Sequence, residues 1–225
     1  VAQSNVVLNT IVAEAFCEAC DILENAENFD LAVHDLIKKY ATEHQRIIFN
    51  GNGYSDEWVA EAEKRGLPNI KSMVEAIPQY VAPENVKAFE KFGVFTKAEL
   101  ESRVEIEYET YSKTINIEAR AMIDIAGKQI IPAVIKYTTV LANSLTAVKT
   151  ACADADVSVQ AELLTETSDL LSDAKTALAK LTDVTDKAGE MEEGAVQATY
   201  YRDEVKAAMD ELRAPVDKLE MLVDK

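Results

Sequence analysis

Residues 96–151 run TKAELESRVEIEYETYSKTINIEARAMIDIAGKQIIPAVIKYTTVLANSLTAVKTA, and the reading of this stretch decides the fold. Apolar side chains recur at Leu100, Val104, Tyr108, Tyr111, Ile115, Met122, Ala126, Ile130, Val134, Tyr137, Leu141, Leu145 and Val148. Steps of three, four and seven are the helical period, so the stretch predicts one helix or two nearly continuous ones. Between Ile115 and Leu141 a second face also turns apolar, through Ile117, Ile123, Ile125, Ile131 and Ile135. That portion is expected to be covered on more than one side. An unbroken helix of this length would span roughly 80 Å, so it either kinks at Gly127 or Pro132 or makes the molecule elongated.

Working outward, the rest of the chain also predicts helices. Before the long stretch come Ser72-Met73-Val74-Glu75 and Thr96-Lys97-Ala98-Glu99, two capping boxes. In each the hydroxyl and the carboxylate satisfy orphan N–H groups at a helix start. Pro83 opens a short helix that Gly93 closes, and Gly66 with Pro68 stops another. Trp58, Phe89, Phe92 and Phe95 are expected to plug the core where these short helices meet. At the start of the chain, Ser4 caps a helix whose stripe is Val7, Leu8, Ile11, Val12, Ala15, Phe16, Ala19 and Leu23. Few charges interrupt it, so it reads as heavily buried. A second helix from Asp30 places Val33, Leu36, Ile37, Tyr40 and Ile47 on one face.

Beyond residue 151, Ser158 begins a helix with Leu163, Thr167, Leu170, Ala174, Leu181 and Val184 along one seam. A final helix carries Tyr201, Val205, Ala208, Leu212, Val216, Leu219 and Leu222. Both are narrow seams of the coiled-coil kind. Together with the second half of the long helix they make an antiparallel bundle. The fold class is therefore all-α: short helices around one long kinked helix, plus a C-terminal antiparallel helical bundle.

Composition bounds the function. The 225 residues carry 23 basic and 40 acidic side chains, a formal net charge of −17. Such a field repels nucleic acid and anionic membrane surfaces, so neither is expected as a partner. No apolar run in the sequence approaches the ~20 residues of a membrane span. Val1 to Leu8 lacks the basic start and cleavage site of a secretory signal, and a chain opening at Val1 without Met reads as an excised piece. Three cysteines suit a reducing cytoplasm rather than a disulfide framework.

Candidate chemistry is sparse. Cys17 and Cys20 form a C-x-x-C, but only Cys152 and His34 could complete a zinc set, and neither sits in a paired motif. These cysteines are expected to be small core side chains. A helical di-iron signature would need Glu where Leu31 and Ala41 stand, three residues before His34 and His44. The loop Asn50-Gly51-Asn52-Gly53 is read as a sharp turn with glycines at positive φ. It lacks the third glycine, the lysine and the preceding strand of a phosphate cradle. No catalytic, cofactor-binding or metal-binding residue is assigned to any position.

At that loop the sequence becomes recognisable, for it resembles the C-terminal part of a type III glutamine synthetase. The resemblance is carried by Ser4 to Glu14, by Arg46-Ile47-Ile48-Phe49-Asn50-Gly51-Asn52-Gly53-Tyr54-Ser55 with Trp58, by Gly93-Val94-Phe95 and by Ser102-Arg103. Further along it rests on Lys113 to Ala119, Ile131-Pro132-Ala133, Tyr201 to Val205 and Met209 to Arg213. It implies that residues 1–95 are the helical end of a catalytic domain and 96–225 a long helix with a C-terminal bundle. It further implies a parent ATP-dependent glutamate–ammonia ligase whose metal and phosphate ligands lie upstream. ATP and Mg would then belong to the parent and no cofactor to this chain. A structural or oligomerisation segment, inactive alone, self-associating or bound to other subunits in the cytoplasm, is the expected function. The alternative is a free-standing acidic helical-bundle adaptor for a protein partner.

Overall fold

In the computed structural model, which describes residues 2–223, 82% of the chain is helical and no strand occurs among the described residues. That share is far above the ~30–35% of an ordinary globular protein, and the all-α reading holds. The chain divides into two compact units, one ending at Val104 and the other beginning at Glu105.

The first unit is built of short helices: α1 (Ala2–Leu23), α2 (Phe29–Glu43), α3 (Asp56–Lys64), α4 (Met73–Ala76), α5 (Pro83–Lys91) and the start of α6 (Lys97–Ile125). Their ends follow the local chemistry of the sequence. Asn28, Ser55 and Ser72 accept hydrogen bonds from the N–H groups of Leu31, Trp58 and Glu75. Gly66 and Gly93, at φ of 69° and 60°, end α3 and α5. The next N–H reaches back each time, Leu67 to the Ala62 carbonyl and Val94 to the Phe89 carbonyl. Only a residue without a Cβ takes that left-handed position cheaply. The core of this unit is small: Val86, Phe89 and Leu100 are buried, with Val7, Tyr80, Val81, Val94 and Phe95 packed around them.

Three sequence expectations need correction here. Ser4 lies inside α1, which already begins at Ala2, so it caps nothing. Within α2 only Leu36 is buried, and Ile37 points outward, as does Ile47 in a 3₁₀ turn beyond the helix. Neither Gly51 nor Gly53 has positive φ, which belongs to Gly66, Gly93 and Gly194. The Asn-Gly loop turns instead through side-chain bonds, with the Tyr54 N–H donating to Asn52 Oδ1 at 3.1 Å.

The capping box at Thr96 is formed in full. Its N–H and Oγ1 both donate to Glu99 Oε2, at 2.7 and 2.9 Å, while the Glu99 N–H returns to Thr96 Oγ1 at 3.3 Å. Those two donated bonds hold the Glu99 carboxyl below its ordinary value of 4.5. A depressed folded value means the stabilisation is present above the unfolded value and is lost as pH falls through the folded one. Thr96→Ala removes the hydroxyl's part of this box and keeps the backbone N–H bond, so it is expected to lower stability at neutral pH. The difference from the unmutated chain should shrink below pH 4.5, as urea unfolding at a series of pH values would report.

The second unit is an antiparallel bundle of the remainder of α6, α7 (Ile131–Ala151), α8 (Ser158–Glu190), α9 (Ala195–Tyr200) and α10 (Lys206–Leu222). Its main core joins Ile115, Ala119 and Ala126 to Leu178, Leu181, Val184 and Ala188, and to Tyr201, Val205, Ala208 and Leu212. A second cluster joins Val134, Ala174 and Leu219. These are the seams expected from the heptad spacing.

The long helix neither stops nor breaks at Pro132. Between α6 and α7 the chain makes a π turn, Ala126–Ile130, and Pro132 falls in the first turn of α7. The wider turn accommodates the residue that cannot donate a backbone bond. A second π turn, Tyr201–Val205, joins α9 to α10. The expected second covering of the long helix is found only in part: Ile123 and Ile131 pack against the main core, while Ile117, Ile125 and Ile135 are exposed.

Candidate functional site

Helix α1 has almost no interior. Thr10 is its one buried residue among those described, its Oγ1 donating to the Val6 carbonyl at 2.8 Å. One side rests on α5 through Val7, and Lys91 Nζ donates to Glu14 Oε2 at 2.6 Å. That bond to Glu14 is the main reason the Lys91 ammonium is held above its ordinary value. The other side is open: Leu8, Ile11, Val12 and Phe16 are 60, 59, 52 and 68% exposed. Beside this stripe an open groove of about 260 Å³, lined by Val7, Ile11, Tyr80 and Phe89 among others, runs toward α5. The expectation of a heavily buried helix is therefore not met, for α1 buries a single residue and exposes most of its apolar stripe. Few charges interrupt the apolar stripe of α1, and among the described residues only one side of it is covered.

The loop after α2 is a second apolar projection. Ile47, Ile48 and Tyr54 are exposed, while Phe49 folds back to stack on Trp58 with ring centroids 4.0 Å apart. Arg65 braces the fold-back. Its guanidinium lies 5.4 Å from the Trp58 ring centroid, and its Nη1 donates to the Ile48 carbonyl at 3.0 Å. Its Nε donates to Glu61 at 2.7 Å, which keeps the Glu61 carboxyl below the usual range. Trp58 therefore serves this loop and does not join Phe89 and Phe95, whose rings meet at 5.5 Å in the α5 core. The Arg65 brace was not foreseen, although Trp58 and Arg65 seven residues apart on one short helix face is a signal that could have found it.

The polar candidates stay apart. Cys17 is half-buried, and Cys20 and Cys152 are exposed, so the reading of core cysteines is wrong. His34 is exposed beside Asp35, its Nδ1 3.4 Å from the carboxylate, and His44 is the C-terminal cap of α2. Among the described residues no three His, Cys, Asp or Glu side chains converge on a point where a metal ion could sit. Within Lys97–Ala151 one window is long and apolar enough to cross a bilayer by length and composition alone. This corrects the sequence reading that no run approaches that length. In the bundle the same segment buries Val134 and Leu141.

Capped helices, a bundle with regular seams and apolar surfaces left open define a helical packing module. Residues 32–149 match the family model described as the glutamine synthetase C-terminal domain, and the chain belongs to that family. It is 37% identical over 191 residues to the glutamine synthetase of Butyrivibrio fibrisolvens, which covers 85% of this chain and 27% of that protein. It is 36% identical over 146 residues to the type-3 glutamine synthetase of Dictyostelium discoideum, covering 64% of this chain and 20% of the relative. A third relative, the glutamine synthetase of Bacteroides fragilis, is 29% identical over 207 residues, 90% of this chain and 28% of its own. The chain spans between a fifth and three tenths of the length of the curated relatives it matches.

Proposed function

We propose that this chain is a structural and oligomerisation segment of an ATP-dependent glutamate–ammonia ligase, inactive by itself. Residues 1–95 then form the helical end of the catalytic domain, and residues 96–225 form the long helix and bundle. The observation that carries this reading is the uncovered apolar side of α1, where four large side chains stand in water. A protein rarely keeps such a patch open unless something is to sit on it. ATP and Mg are assigned to the parent enzyme, and the cytoplasm is proposed as the working compartment, in line with three unpaired cysteines.

Two measurements test the reading. A contaminant-free preparation given glutamate, ammonia, ATP and magnesium is expected to form no glutamine and hydrolyse no ATP. Turnover would refute inactivity. Sedimentation at micromolar concentration is expected to report a dimer or larger species, because α1 covers itself by self-association. A clean monomer at high concentration would sink the contact role.

A further inference from the structure

The two Asn-Gly pairs of the loop are not equivalent in the folded chain, and the difference marks a site of covalent self-modification. We propose that Asn50 deamidates through a succinimide, and that this conversion unlocks the Phe49–Trp58 stack. In the first step the Gly51 backbone nitrogen attacks Asn50 Cγ. A carbon–nitrogen bond forms, the bond to the side-chain amide nitrogen breaks, and that nitrogen leaves as ammonia with the proton lost from Gly51. Water then opens the ring at either carbonyl, giving aspartate or isoaspartate. No oxidant or cofactor is needed.

The geometry singles out the first pair. Asn50 is exposed in irregular backbone, and among the described residues neither its side-chain amide nor the Gly51 N–H makes a hydrogen bond. The side chain can turn its Cγ onto the following nitrogen, which glycine leaves sterically open. Asn52 is tied. Its Oδ1 accepts from the Tyr54 N–H at 3.1 Å, and its carbonyl accepts from Ser55 Oγ at 3.1 Å and from the Ser55 N–H at 3.3 Å. Cyclisation at Asn52 must first release the Asx turn that leads into α3.

The consequence for the loop follows from crowding at Gly51. A Cβ built there would stand 2.5 Å from Phe49 Cζ, so the ring lies directly against the glycine backbone. Isoaspartate inserts one extra main-chain carbon next to that contact. The peptide beneath the ring is displaced, and the ring leaves Trp58.

The test is to hold the full chain at mildly alkaline pH and sample it over time. Trypsin releases both pairs in one peptide, Ile47 to Lys64, in which electron-transfer fragmentation separates the two positions and the two products. Conversion at Asn50 is expected to outrun that at Asn52 roughly tenfold, equivalent to ~1.4 kcal/mol of barrier. In the isolated peptide, where the Asx turn is gone, the two rates should be similar. Trp58 is the one tryptophan of the sequence, so its emission should shift in step with isoaspartate formation, while far-ultraviolet circular dichroism stays constant. Asn50→Gln should abolish the shift. Conversion at Asn52 as fast as at Asn50 in the folded chain overturns the proposal, as does an intact Asn50 in a chain whose peptide deamidates there. Full conversion without a change in Trp58 emission overturns the coupling to the stack.

Discussion

Leu181→Ala is expected to lower the unfolding free energy by about 2–5 kcal/mol, the range for truncating a fully buried leucine. Leu181 has no exposed surface and lies in the cluster where α6, α8 and the Tyr201–Leu212 stretch meet. The same cluster also contains Ala119, Ala126, Ala188 and Ala208, small residues that bring the helices close. A cluster rich in alanine has little side chain to move into a void, so the loss is expected to lie within that range and not below it. A whole domain is stable by only ~5–15 kcal/mol, which makes this one methyl-branched side chain a large share. Urea unfolding followed by circular dichroism measures it. The control is Ile117→Ala on the exposed side of the same bundle, expected within about 0.5 kcal/mol of the parent. Equal losses at the two positions would contradict the placement of the core.

The second large effect concerns assembly. Replacing Leu8, Val12 and Phe16 together by Lys is expected to shift the chain from dimer or larger species to monomer, with the helical spectrum retained. Each large aliphatic or aromatic side chain left in water forfeits ~1.5–3 kcal/mol relative to burial. Three such side chains forfeit enough to drive association, and three ammonium groups oppose it. These positions are chosen because they face solvent, whereas Val7 on the neighbouring face packs against the α5 core. A lysine at Val7 would confuse lost assembly with lost folding. Light scattering of the triple variant beside the parent gives the answer. An unchanged mass would place the association elsewhere, the exposed line of Ile117, Ile125 and Ile135 being the next surface to alter.

How much could be read in advance differs from element to element for physical reasons. The long helix was legible because its apolar stripe is a periodic signal that only one backbone geometry satisfies. Leu100, Tyr108, Ile115, Ala126, Val134 and Leu141 are buried at the expected positions. The α8 and α10 seams were legible for the same reason, and the caps at Ser72 and Thr96 because a cap is a contact within four residues. What covers an apolar face was not legible, since periodicity reports that a face avoids water and says nothing of its partner. Hence α1 and the Ile117 line were expected to be buried and are open. The Phe49–Trp58 stack and its Arg65 brace depend on contacts across a loop, which no local pattern encodes. The family came from matching strings spread from Ser4 to Arg213, that loop among them, not from any constellation of reactive groups.

The π turn at Ala126–Ile130 also has a meaning for how this sequence tolerates change in length. An i→i+5 turn holds one residue more than an α turn, and the three successive four-residue steps Met122, Ala126, Ile130 and Val134 are its trace in the chain. The helix therefore carries slack at one place. Loss of a single residue there, Gly127 for instance, leaves an uninterrupted α-helix with both flanks still in phase. The same loss two turns downstream rotates everything beyond it by ~100° and turns Leu141 away from its neighbours. A one-residue deletion in this arm of the molecule is thus buffered at a single joint and penalised everywhere else along it.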